Sequence, residues 1–286
     1  MFRTGSSGGM AALVWSWPLA NGGRRKLLKR EVLEKRVRSY FDRYPRVAFV
    51  HVPKCAGTSA AESLYRALYP QVMKVTRLYG RIDLAASRTA EEMSGVDMMT
   101  SRQVALINCL SDPLTRFVSG HVYANPAVVK GFADWKFLTV LRNPVDRFVS
   151  EYVYNRYKSR DWLKVADDFE DFLASDRARS SGSLLARYFS GMDSARIASD
   201  PDRAVEASLA NLQSFASVGF MDDLQGWMNR LEPVLGARPK MPFLNKSPRP
   251  ALYEEIEASP DLSARVASLC EIDSRIYEEA VRRLAA

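Results

Sequence analysis

Lys54, Cys55, Ala56, Gly57, Thr58 and Ser59 stand in a row between an apolar run and an amphipathic one, and this mixture suits an anion. One cation, three small residues that let backbone approach a ligand, and two hydroxyls fall where a helix is expected to begin. Unpaired N–H groups at a helix start, with the positive end of its dipole, favour phosphate or sulfate there. Arg142 adds a planar fork of donors suited to a phosphate, and Ser150 adds a hydroxyl one or two helical turns later. His121 is one of only two histidines in the chain. An imidazole has the pKa that a base for a hydroxyl needs near neutral pH. The other histidine, His51, lies within an apolar run and reads as a hydrogen-bonded structural group.

The elements that must position these residues are legible around them. Val47, Ala48, Phe49, Val50 and Val52 predict a strand buried on both faces of a parallel sheet. Pro53 ends its ladder, and residues 59–69 predict a helix that buries Ala60, Leu64, Ala67 and Leu68. Residues 137–141 predict a second buried strand with Arg142 at its carboxyl end, followed by a helix from about Val145 or Asp146. Ligands of open α/β sheets gather at that edge. Between these segments, residues 104–110 are a candidate strand leading through Asp112 and Pro113 towards His121. Residues 76–84 suggest a short strand and turn, and residues 89–93 a short helix.

The lysine precedes the glycine, so the loop is not the nucleotide-triphosphate pattern G-x-x-x-x-G-K-[ST]. HVPKCAGTS (51–59) instead resembles the 5′-phosphosulfate loop of sulfotransferases. SGHVY (119–123) resembles the segment that carries the catalytic base in the heparan sulfate 2-O-sulfotransferase type of carbohydrate sulfotransferases. RNP at 142–144, with Ser150 eight residues after the arginine, resembles the 3′-phosphate segment of the same family. The three occur in the family's order and span residues 47–157.

That resemblance implies a three-layer, P-loop-like α/β fold with a central, mainly parallel sheet. It implies a donor, 3′-phosphoadenosine 5′-phosphosulfate, that leaves as adenosine 3′,5′-bisphosphate, and no metal. By the same resemblance Lys54, Cys55, Ala56, Gly57, Thr58, Ser59, Arg142 and Ser150 contact the donor, and Lys54 and His121 are catalytic. The polar centre of PFLNKSPRP (242–250) resembles a late loop closing on the nucleotide, which brings in Asn245, Lys246 and Ser247. The implied acceptor is a hydroxyl, most simply on a glycan, with lipid and small-molecule hydroxyls as alternatives. Cys55 departs from the family, where threonine is common. It is expected to line the loop rather than react, although Lys54 beside it could lower its pKa and open it to alkylation.

The chain has 286 residues, 47% of them hydrophobic, and a formal charge of +8. Residues 1–46 hold eleven Lys or Arg against three acids, while the remainder balances thirty against thirty. The body is thus neutral and no nucleic-acid partner is expected. The basic excess lies largely in residues 24–43, where Leu27, Leu28, Leu33, Val37, Tyr40 and Phe41 recur at helical spacing. A packed helix with a solvated charged face is one reading; contact with an anionic membrane surface is the other. Residues 11–20 are apolar, but too short to span a bilayer. Residues 1–9 read as a disordered leader, with Met10 as an alternative start. The division expected is a leader and basic helix over 1–44 and a sulfotransferase domain over 45–286. Three scattered cysteines fit neither a disulfide framework nor a zinc site, and a cytoplasmic location, at most peripheral to a membrane's inner face, is expected.

Further helices are expected over 168–178, 183–189, 202–215, 222–235 with Gly236 as cap, and 254–283, with a late strand at 217–220. Trp162, Tyr188 and Phe189 are candidates for an acceptor cleft or for core. A nucleotide-dependent kinase and a non-catalytic anion binder are the competing functions. The first lacks the Walker order and a clear magnesium carboxylate near the loop. Oligomeric state is open.

Overall fold

The structure, a computed structural model, describes residues 31–32, 35–37, 39–159, 161–240 and 251–285. Val47–Val50 forms strand β1, and all four of its side chains are buried, as a β-branched and aromatic run between two helical layers requires. Its partners are parallel on both sides: β3 (Phe117–Gly120) pairs Val50 with Gly120, and β4 (Lys136–Leu141) pairs Val50 with Thr139. With β2 (Tyr79–Arg81) and β5 (Ser217–Phe220) the sheet runs β2-β3-β1-β4-β5, every pairing parallel. The fold is therefore α/β with a five-stranded parallel sheet. Because β1 is central and its neighbours run the same way, residues just past β1, β3 and β4 emerge at one edge.

Helix α1 (Gly57–Leu68) follows β1. Helices α2 (Leu84–Ser94) and α3 (Met98–Ser111) lead to β3, each capped by an aspartate, Asp83 and Asp97. Helix α4 (Pro126–Gly131) leads to β4, and α5 (Pro144–Tyr157) leaves it. Phe148 and Tyr152 of α5 bury themselves against Phe169 and Phe172, with ring centroids 4.9 to 5.6 Å apart. Each such burial stabilises by about 1.5–3 kcal/mol and fixes the helix on which Ser150 rides. The chain divides into two units, Met1–Arg43 and Tyr44–Ala286. In the first, the described residues from 31 to 41 are helical, with Lys35 and Arg36 exposed and the Arg43 guanidinium 3.7 Å over the Tyr40 ring.

Several elements differ from expectation. Residues 104–110 are not a strand: they belong to α3, and β3 lies seven residues further on. Arg102, Leu106 and Leu110 are buried at a spacing of four while Val104 and Ile107 face out, so the period is helical and the short apolar run misled. β1 stops at Val50, leaving His51 just past the strand, and α1 starts at Gly57 rather than Ser59. Ala67 is exposed; Tyr65 takes the expected place on the buried face. The expected 168–178 helix breaks at Ser175, which caps α7 (Asp176–Gly182) after α6 (Phe169–Ala174). Tyr188 and Phe189, in α8 (Leu184–Phe189), are core, while Trp162 lies half-buried with the Lys158 ammonium over it. The expected 222–235 helix is two pieces, Leu224–Arg230 and Glu232–Leu235, ended by left-handed Gly236 as expected. The last helical region breaks at Ser259 and Cys270. Among the described residues no helix is long and apolar enough to cross a membrane.

Candidate functional site

Among the described residues, the turn after β1 gathers most of the left-handed non-glycine backbone. Lys54 (φ 65°) and Ala56 (φ 55°) both adopt the left-handed region, and only one other non-glycine described residue does so. Each costs an L-residue about 1–3 kcal/mol, a strain that clusters at ligand sites. The pair turns Cys55 inward: its side chain is 0% exposed, and Sγ lies 3.6 Å from the Pro53 carbonyl oxygen. Burial pushes the Cys55 thiol up to about 12, against the pull of Arg147 and Arg142. The side possibility that Lys54 lowers the thiol's pKa and opens it to alkylation is therefore corrected, because desolvation outweighs the nearby cations.

Ala56 is the N-cap of α1 and supplies no side-chain cap. The first N–H groups of α1, at Gly57, Thr58 and Ser59, are thus left for a ligand. Thr58 is exposed and Ser59 half-buried. Lys54 places Nζ 4.1 Å above the ring of Tyr154, which is 57% exposed on α5. Burial holds the Lys54 ammonium below the usual lysine range, Arg142 adds to this, and Glu151 and Cys55 oppose it.

Arg142 sits at the end of β4 and donates to the Lys54 carbonyl oxygen at 3.4 Å. Among the described residues neither Lys54 nor Arg142 forms an ion pair with a carboxylate, so two adjacent cations converge with only the longer-range field of Glu151 to offset them. The next turn is relaxed: Asn143 Oδ1 accepts from Val145 and Asp146 N–H at 3.0 and 3.3 Å, and Pro144 opens α5. Ser150 is half-buried two turns along that helix.

His121 follows β3 and belongs to the same edge. Its Nδ1 lies 2.7 Å from the His51 carbonyl oxygen. A carbonyl only accepts, so Nδ1 carries the proton and Nε2 of the neutral ring keeps its lone pair. Burial lowers the His121 pKa; the His51 carbonyl raises it, Arg102 lowers it and Glu151 raises it, with the net direction down. The lone pair therefore persists to lower pH than in a free imidazole.

Beneath the turn lies a group that the sequence reading passed over. Arg147 is 0% exposed and donates to Glu151 at 2.5 Å, to the Ser181 carbonyl at 2.5 Å and to its hydroxyl at 3.1 Å. Burial lowers the Arg147 pKa, but Glu151 and Asp273 outweigh it and keep it charged. Asp273 accepts from Leu185 and Ala186 N–H at 2.7 and 3.0 Å, and burial pushes it up to about 7. A charged floor of this kind fixes geometry at the cost of desolvation. Arg102 was passed over as well: it is buried and donates to the His121 carbonyl at 3.3 Å. A signal for Tyr154 existed, since it falls four residues after Ser150 on one face of α5. Asn245, Lys246 and Ser247 lie outside the described residues.

The site thus joins Lys54, Ala56, Gly57, Thr58, Ser59, His121 and Arg142 at one sheet edge, with Cys55 turned beneath it and Ser150 along α5. A tight, uncapped strand-to-helix turn at the carboxyl edge of a parallel sheet thus meets a neutral imidazole and an arginine from the flanking strands. A family model described as the sulfotransferase family matches residues 38–188, more than half of the chain. The chain belongs to the sulfotransferase family, whose general chemistry is sulfuryl transfer. It is also similar to the crystal structure of a sulfotransferase from Alicyclobacillus acidocaldarius. That likeness has 17% identity and a TM-score of 0.36, and covers 79% of this chain and 96% of that one. No curated protein matches the sequence.

Proposed function

We propose that the protein transfers a sulfuryl group from 3′-phosphoadenosine 5′-phosphosulfate to an acceptor hydroxyl on a glycan. The donor supplies an activated sulfuryl group on a phosphate leaving group. The residues present suit such a ligand: a helix start with no side-chain cap, a glycine at its first position, and two cations without carboxylate partners among the described residues. In this reading the N–H groups and hydroxyls of Thr58 and Ser59 bind the 5′ end. Arg142 and Ser150 bind the 3′-phosphate, and Lys54 stabilises charge developing on the leaving oxygen. His121 Nε2 takes the acceptor's proton. Asn245, Lys246 and Ser247 are proposed to close the nucleotide end. The reading is metal-free, and among the described residues no group of three His, Cys, Asp or Glu could hold a metal ion. The three cysteines are free, which suits the reducing cytosol we assign, with the basic amino-terminal helix available for contact with an anionic membrane face.

The observation that carries this reading is the 2.7 Å bond from His121 to the His51 carbonyl, because it leaves an unprotonated Nε2 beside an anion turn. Replacing His121 by alanine should lower kcat by roughly 10²- to 10⁴-fold and leave adenosine 3′,5′-bisphosphate binding nearly intact. Because burial depresses the pKa of His121, wild-type kcat/KM should hold as pH falls towards 6.5 and fail only below it. Calorimetric titration with the bisphosphate, beside ATP with magnesium, tests the donor. Metal-independent binding that favours the bisphosphate is expected; equal or magnesium-dependent binding of ATP would return the kinase reading.

A further inference from the structure

His51 makes three contacts that a merely space-filling histidine does not combine. Its carbonyl oxygen accepts a hydrogen bond from the Nδ1–H of His121. Its ring lies 4.1 Å from the His121 ring, centroid to centroid, tilted by 31°. Its other side presses on Gly57, the first residue of α1: a Cβ there would fall 1.8 Å from His51 Cδ2 and 2.2 Å from Nε2. Backbone holds this wedge in place, since His51 N–H donates to the Gly120 carbonyl at 3.0 Å, next to His121 itself. Glycine at 57 is therefore required by the imidazole above it as well as by any ligand.

We infer that His51 is the positioning residue of this site, its ring filling the space between the anion turn and His121 so that the His121 ring stays on the His51 carbonyl with Nε2 unprotonated. A small side chain at 51 would open a gap on one face of the His121 ring. The ring could then tilt, release the carbonyl and exchange tautomers. Burial lowers His51 to about 3, with His121 adding to the effect, so the spacer is uncharged throughout the working range. The groups that face His121 from the other elements are Arg102 of α3 and Glu151 of α5. Neither touches its Nδ1, so the tautomer rests on the His51 carbonyl and on the ring that pins His121 there.

This inference rests on the reading of His121 as the base, yet its test has an arm that needs no turnover. The chain has two histidines, so ¹⁵N imidazole spectra contain two ring systems, and one in a His51 variant. Wild type and His51→Phe, which keeps a flat ring, should show His121 as a single Nδ1–H tautomer. His51→Ala should show a mixture, and its kcat should fall roughly 10- to 100-fold while the Kd for adenosine 3′,5′-bisphosphate stays within about threefold. His51→Phe should recover most of that loss. A locked tautomer with unchanged kcat in His51→Ala overturns the inference. So does loss of bisphosphate binding in step with kcat, which would make the ring a support of the turn, and so does a His51→Phe protein as impaired as His51→Ala. Failure of the base reading looks different: His121→Ala would remain active while the wild-type tautomer is still locked.

Discussion

Two strand-to-helix turns stand side by side at the carboxyl edge of the sheet, after β1 and after β4, and they treat their backbone in opposite ways. The first holds two residues in the left-handed region and enters α1 without a side-chain cap. The second has no such residue, opens α5 with a proline that has no N–H to satisfy, and caps the next two amides with Asn143. One turn keeps its donors free and strained; the other satisfies its own and offers only the side chain of Arg142. The difference separates a backbone site from a side-chain site. In the proposed function the first would bind through N–H groups whose direction is fixed before the ligand arrives, and the second through a single charged fork.

The largest effect at this pair of turns is expected from the fork. Arg142→Ala removes the second turn's whole contribution to a phosphate, about 1.5–3 kcal/mol for hydrogen bonds to a charged group, or a roughly 10- to 100-fold rise in Kd for adenosine 3′,5′-bisphosphate. Thermal stability should change little, since among the described residues the Arg142 side chain makes only the 3.4 Å hydrogen bond to the Lys54 carbonyl. An unchanged Kd would remove Arg142 from the donor site and erase the distinction between the turns.

Asn143→Ala should do the reverse. Losing the cap costs about 1 kcal/mol, a fall in Tm of roughly 2–4 °C, while bisphosphate binding stays within about twofold. A large loss of affinity with no change in Tm would mean that the second turn also binds through its backbone.

How much of this contrast was legible in the sequence follows from the range of the interactions involved. Lys54 to Ser59 and Arg142 were readable because each follows a β-branched run and precedes a helix, and local pattern suffices for that. The wedge of His51 between Gly57 and His121 was not, because it depends on β1 pairing with β3, which joins residues seventy positions apart. Cys55 misled for a related reason: its charged neighbour in sequence is visible, while its burial by the twist of Lys54 and Ala56 is not. Val104 and Ile107 looked like strand because apolar residues on a solvent-facing side of a helix break the amphipathic pattern. The pair of buried Arg147 and half-buried Glu151, four apart on α5, could have been found from its spacing.

The smallest effect is the most direct measure of strain. At Ala56, with φ 55° and ψ 19°, glycine removes the Cβ penalty of the left-handed region, about 1–2 kcal/mol. It returns about 0.4–1 kcal/mol through the greater freedom of the unfolded chain. Ala56→Gly should therefore raise stability by about 0.5 kcal/mol. The same substitution at Ala60, inside α1 and buried, should lower it by about 1 kcal/mol. Urea denaturation midpoints of the two variants should move to opposite sides of wild type. If both fall, the first turn carries no relievable strain, and its free N–H groups owe their direction to the packing of Cys55 beneath them rather than to a backbone held out of its preferred range.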